Sequence, residues 1–303
     1  MRYSLRSRFR ATLLAAVLGQ SLPANATHIW GQAKHKQHIT SPPNEDILWG
    51  RVATAVTNSL IRLGKFDSSD AIFDSVRKNV GESSSLQVII ATLPLALFYH
   101  DSEAKLRQNL QQFLLFNNPE IIAGSLAVGY TIALSLQEKL RVATLIPQLI
   151  DFLDQPQLHL THQLAQVESL LEHKASLVQA TTIFNKQPNS AIALAFYCFL
   201  STSHDLQLSV TRAAQIGAQS HTIAALTSAL SGAYNGVSSI PTRWRVDSTH
   251  EPLLAWGFQN EAELLELCDS LVAVWSGAYN ATDMTTELVS TTAIAAPRVI
   301  RPR

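Results

Sequence analysis

The sequence predicts an all-α protein, and three observations carry that expectation. Glycine and proline are scarce, with 12 of each in 303 residues; the many short strands of a sandwich or barrel need more turn residues. Apolar residues recur three or four apart along much of the chain, the period of a helix face turned to a core. Caps and stops punctuate those stretches. The chain is 47% hydrophobic and 15% charged, below the roughly 25% charged of an average soluble domain, so it is rich in core-forming residues and not disordered. Its 23 basic and 23 acidic residues cancel, which argues against a nucleic-acid footprint and against an acidic tail. No Gly/Ser linker divides the chain, and no repeat of about 20–50 residues recurs. One helical domain over residues 1–279 is expected, followed by a mobile tail over 280–303.

The N-terminus admits two readings. Arg2, Arg6, Arg8 and Arg10 precede the apolar run from Ala11 to Leu18, and Ala24-Asn25-Ala26 follows. This is the pattern of a secretory signal peptide, and equally that of an amphipathic first helix packed into a core. The run is too short to span a bilayer, which takes about 20 residues, and no later segment reads as apolar for that long without a polar break.

The next helix runs from Ile47 to Leu63 on Leu48, Val52, Val56, Leu60 and Leu63, and Gly64 stops it. Ser69-Asp70 opens another, with Ile72, Phe73 and Val76 on one face. Gln87 to Tyr99 is strongly apolar and β-branched in its first half; its helical neighbours favour helix, with Pro94 as a kink or a start. Asn118-Pro119-Glu120 is a helix start made of a cap, a first-turn proline and an acid near the positive dipole end. The helix it opens carries Ile121, Leu126, Ile132 and Leu136. Helices over His159–Phe184, Ser190–Leu200, Asp205–Ile216 and Glu261–Trp275 complete the reading.

Generic catalytic motifs are absent: no HExxH, P-loop, GxGxxG or nucleophile elbow. His28, His35 and His38 lie in a polar stretch with no carboxylate or cysteine to close a metal site, so a solvated loop is expected. His159 and His162 stand one helical turn apart without a third ligand. Cys198 and Cys268 sit in apolar runs and read as core; two cysteines make no disulfide framework and fit a reducing compartment. The sequons at Asn25 and Asn280 matter only in a secreted chain.

One stretch is specific. Ala191 to Leu200 leads to Asp205, then Arg212-Ala213-Ala214-Gln215-Ile216-Gly217, Thr222-Ile223-Ala224-Ala225-Leu226, Gly232-Ala233-Tyr234-Asn235-Gly236 and Ile240-Pro241-Thr242-Arg243-Trp244. In order and spacing this resembles the C-terminal half of the ADP-ribosylglycohydrolase family, which includes the dinitrogenase-reductase-activating glycohydrolases. Arg8-Phe9-Arg10-Ala11-Thr12-Leu13-Leu14, followed by Gly19, is similar to the family's opening Arg-Phe-Arg-Gly-x-Leu-Leu helix, which ends in Gly-Asp. Leu93 to Phe98 resembles the segment after its Asn-Gly motif. The resemblance implies an orthogonally packed all-α domain, accounts for Arg8–Leu18 as a domain helix, and implies a cytoplasmic protein.

It also implies chemistry that this sequence has altered. The family hydrolyses the N- or O-glycosidic bond between ADP-ribose and a protein side chain with two Mg²⁺. The ions are held by a C-terminal Asp-Thr-Asp-Thr turn and an N-terminal Thr-Asp-Asp-Thr. Here the C-terminal turn reads Gln219-Ser220-His221-Thr222, with both aspartates replaced. Counted back from Gly64, the N-terminal quartet falls on Ile47-Leu48-Trp49-Gly50, and the Gly-Asp ending is Gly19-Gln20. Gln219, His221, Thr222, Ile47, Leu48 and Trp49 are thus the candidate ligand-binding positions, with no catalytic residue and no metal ligand among them. Glutamine is a weak Mg²⁺ ligand and histidine favours softer ions. The expectation is a non-catalytic member without a cofactor, binding an ADP-ribose-like small molecule or a partner protein through the cleft, and engaging neither nucleic acid nor membrane. Three alternatives stand beside it: a register slip making Glu45 and Asp46 ligands of an active hydrolase, a single softer metal on His221, and a scaffold that was never enzymatic.

Overall fold

The computed structural model describes residues 3–29, 44–70, 86–114, 118–185, 187–217, 219–247 and 251–278, the side chains of 23–29, 44–48 and 247 excepted. Among them every regular element is a helix, as the sequence predicts. In chain order they are α1 (Leu5–Ile29), α2 (Asn44–Leu63), α3 (Val88–Ala91), α4 (Leu93–Phe98), α5 (Glu103–Phe113), α6 (Pro119–Leu136), α7 (Leu145–Leu153), α8 (His159–Glu172), α9 (Leu177–Phe184), α10 (Ala191–Ser201), α11 (Leu206–Ala214), α12 (Ser220–Asn235), α13 (Thr242–Asp247), α14 (Glu251–Trp256) and α15 (Glu261–Ser276). Short 3₁₀ turns at Val142–Thr144 and Val237–Ser239 join neighbours.

Local chemistry explains most boundaries. Gly64 ends α2 at φ +65°. Pro94 sits in the first turn of α4, a start and not a kink. The Asn118 side chain accepts from the Glu120 amide at 2.9 Å, and Asp205 and Asn260 cap α11 and α15 in the same way. Glu120 does more than its position in α6 implies. It is buried, and its carboxylate accepts from the His159 and Leu160 amides at 2.7 and 3.1 Å, so it caps the start of α8 across the core.

Several expectations need correction. The stretch from His159 to Phe184 is two helices, because Lys174 turns at φ +49° and Ser176 with Gln179 forms a capping box that starts α9. Helices α5, α7, α13 and α14 were not expected. Ser69 and Asp70 lie in a turn at the end of a described stretch; the helix expected after them, with Ile72, Phe73 and Val76, and the tail from 280 lie outside the described residues, as do His35 and His38. One later helix is apolar for membrane length after all: α6 has 18 residues and mean hydropathy 1.4, with 83% of it buried inside the protein. It is a core helix. Cys198 and Cys268 are buried free thiols.

The buried residues form one continuous core, in which Ala191 to Leu200 of α10 is wholly enclosed. Helix α1 runs antiparallel to α12 at very close range. Small residues every fourth position permit this: Ala11, Ala15 and Gly19 on one side, Ala224, Ser228 and Gly232 on the other. A Cβ on Gly19 would lie 2.0 Å from Ser228 Oγ, and one on Gly232 would lie 2.5 Å from the Ala11 carbonyl oxygen.

The arginines of α1 tie this helix down at its other faces. Buried Arg8 donates to the Ser135 carbonyl and, at 3.3 Å, to Glu138. Arg6 and Arg10 both clamp Asp269 of α15, each through Nε at 2.7 Å. Burial would push the Asp269 carboxyl up, but hydrogen bonds and charge from Arg6 and Arg10 outweigh it and hold the group below its ordinary value. A carboxylate with a depressed folded pKa stabilises the fold above its unfolded value, near pH 4, and the contribution vanishes as pH falls through the folded value. Asp269→Ala is therefore expected to cost about 1–2 kcal/mol at pH 7, discounted for the solvent exposure of the arginines. Thermal melts should show the gap to wild type closing below about pH 4; a gap that persists there contradicts the clamp.

Candidate functional site

Three separated segments meet where the resemblance places the metal site. The first is the Gly19-Gln20 step of α1. The second is Gly50 on α2. The third is the start of α12, where Gly217 at φ +72° and Gln219 at φ +61° turn the chain sharply into the helix. Gln219 is exposed at the cap position and makes no side-chain cap. His221, half-buried, donates from Nδ1 to the Gln20 carbonyl at 2.7 Å. Thr222 is buried in the first turn.

A residue that the sequence reading did not single out fills the junction. Trp256, at the end of α14, is 2% exposed. Its indole lies flat against the backbone of α2 at Gly50: a Cβ there would meet Cδ1 at 2.4 Å and Nε1 at 2.5 Å. Trp256 Nε1 donates to Gln20 Oε1 at 2.9 Å, and Thr54 Oγ1 donates to the Trp256 carbonyl at 2.8 Å. Thus the tryptophan touches two of the three converging segments and is bonded to the residue that holds the third. Beside it an open groove of about 490 Å³ remains, lined by Arg51, Thr54, Asn58, Leu254 and Gln259.

Of the candidate positions, the structure brings His221 to Gln20 and leaves Gln219 at the rim. Trp49 is 2% exposed, one position round α2 from Gly50, and packs in the core. Ile47 and Leu48 lie in the first turns of α2 with Glu45 and Asp46; the side chains of all four are outside the described set. Among the described residues no group of three or more His, Cys, Asp or Glu is placed to hold a metal. His159 is bound to Glu120 and no third donor joins it or His162. Neither thiol is a nucleophile, since burial pushes Cys198 up to about 12 and Cys268 higher still.

The described donors do not fit a pair of Mg²⁺ ions. Such ions need near-octahedral anionic oxygen. Here the Gln20 amide oxygen already receives an indole N–H, His221 is a nitrogen donor, and an indole stands against Gly50.

Comparison with known proteins sets this site in a lineage. The family model for ADP-ribosylglycohydrolase matches residues 49–281, beginning inside the quartet at Trp49 and running past Trp244 through α15. A solved structure, that of an ADP-ribosylglycohydrolase-related protein complex, superposes with a TM-score of 0.56 at 17% identity, covering 88% of this chain and 99% of that one. No curated protein matches. With the family model spanning most of its length, this chain belongs to the ADP-ribosylglycohydrolase family.

Proposed function

We propose that this chain is a non-catalytic member of the family that binds a nucleotide-like ligand or a partner protein along the groove beside Trp256. One observation carries the reading: where the motif segments converge, His221 is bonded to the Gln20 carbonyl, the Gln20 amide oxygen accepts from the Trp256 indole, and that indole lies against Gly50, with no carboxylate among the described side chains there. Hydrolysis by two metal ions needs those oxygens anionic and turned to the ions. Helix α1, as part of the core, supports the accompanying reading of a cytoplasmic protein, and the two buried free thiols agree with it.

The test is release of ADP-ribose from an ADP-ribosylated protein. Wild type is expected to give none above background with Mg²⁺ present. Gln219→Asp with His221→Asp is expected to remain folded, because carboxylates are favoured at the start of α12. Losing the His221 bond costs about 1 kcal/mol, which the dipole term offsets by about 0.3–1 kcal/mol. The double variant is also expected to stay inactive, since half a ligand shell binds Mg²⁺ poorly. Turnover by wild type overturns the proposal. Turnover by the double variant would assign Glu45 and Asp46 as ligands and correct the N-terminal alignment.

A further inference from the structure

The cleft is filled by a short piece of the chain. Helix α14 is only six residues long. It leaves through Gly257 at φ +94°, a conformation that side chains other than glycine resist. Apart from Leu253, its buried anchor is the Trp256 ring itself, and Leu254 on its outer side is 42% exposed. Among the described residues, the ring donates to the Gln20 side chain and rests on a glycine, and the Trp256 carbonyl accepts from Thr54. Among the described residues no ion pair or covalent link locks it.

The slot has a definite shape. Its floor is the α2 backbone, bare of side chain at Gly50. Its end is an amide oxygen that accepts one N–H from a planar bicyclic ring. The open groove beside it is lined along α2 by Arg51, Thr54 and Asn58. We propose that Trp256 is an internal stand-in for a ligand: α14 swings out, and the slot then takes a flat heterobicycle with a ring N–H at Gln20. This regulates the site described above and rests on its being a binding cleft. With the plug closed for most of the time, apparent affinity is reduced by the fraction of molecules that are open.

Two substitutions test this from opposite sides. Trp256→Ala removes the indole and leaves the slot open; Gly50→Ala puts a Cβ on the floor and denies the seat to indole and ligand alike. Adenine and indole serve as probes in calorimetry with each full-length protein. Wild type is expected to bind both weakly, Trp256→Ala at least about ten-fold more tightly, as an open fraction below about 10% implies, and Gly50→Ala no more tightly than wild type. Tryptophan emission of Gly50→Ala should shift to the red, and the shift should be absent when Trp256→Phe is added. If Gly50→Ala does not fold, Trp256→Ala decides alone. A folded Trp256→Ala protein that binds both probes within two-fold of wild type overturns the proposal. Neither probe carries a glycosidic bond, so that outcome leaves the non-catalytic reading intact, and turnover by wild type would leave the plug intact.

Discussion

Deleting residues 1–26 is expected to abolish the soluble fold. The removed segment holds Phe9, Leu13, Leu14, Val17 and Leu18, all at the centre of the core, together with the arginines that bind Ser135 and Asp269. Truncating one large core side chain costs about 2–5 kcal/mol, and a whole domain is stable by only about 5–15 kcal/mol. Five such losses exceed the margin, and α12 would expose the face that α1 covers. Expression of the truncated chain should yield insoluble protein, while Leu14→Ala, losing about 2–5 kcal/mol, should remain soluble with a lowered Tm. A soluble truncation with a cooperative melt contradicts the role given to α1 and revives the signal-peptide reading.

The second large effect is expected at the α1–α12 contact. In an ordinary helix interior, glycine to alanine gains about 1 kcal/mol from backbone entropy. At Gly232 the sign should reverse, because the new Cβ would stand 2.5 Å from the Ala11 carbonyl oxygen, a backbone atom that moves only with its helix. Gly232→Val should cost about 3 kcal/mol or more, the upper range for overpacking. At a few degrees per kcal/mol, that is a fall in Tm of roughly 5–10 °C. Differential scanning calorimetry of both variants checks the reversal; a neutral or stabilising alanine would show that the helices separate without cost.

The elements most legible in the sequence were those with local signals. Asn118-Pro119 announces α6, Gly64 ends α2, and the unbroken apolar run of α10 can only be buried. Ser176-x-x-Gln179 was an equally local signal, and it separates α8 from α9 where the apolar periodicity continues through. What was not legible depends on distance. Glu120 reads as an acid near its own helix start, yet it caps α8, 39 residues away. The site follows the same rule. The turn from Gln219 to Thr222 and the Gly19-Gln20 step stand out through resemblance to the family. Trp256 carries no motif, and its meaning comes from lying on Gly50 and bonding Gln20, 236 residues apart in sequence. Gly50 looked like an aligned position in a lost metal motif; its lack of a side chain is what admits the indole.

Calorimetric titration of the wild-type protein with Mg²⁺ tests the loss of the dimetal centre most directly. The expected result is no saturable heat up to millimolar Mg²⁺, because Gln20 and His221 offer the ions no free anionic oxygen and Trp256 covers Gly50. A saturable isotherm with two ions per chain would contradict it, and would assign the missing carboxylates to Glu45 and Asp46 at the start of α2.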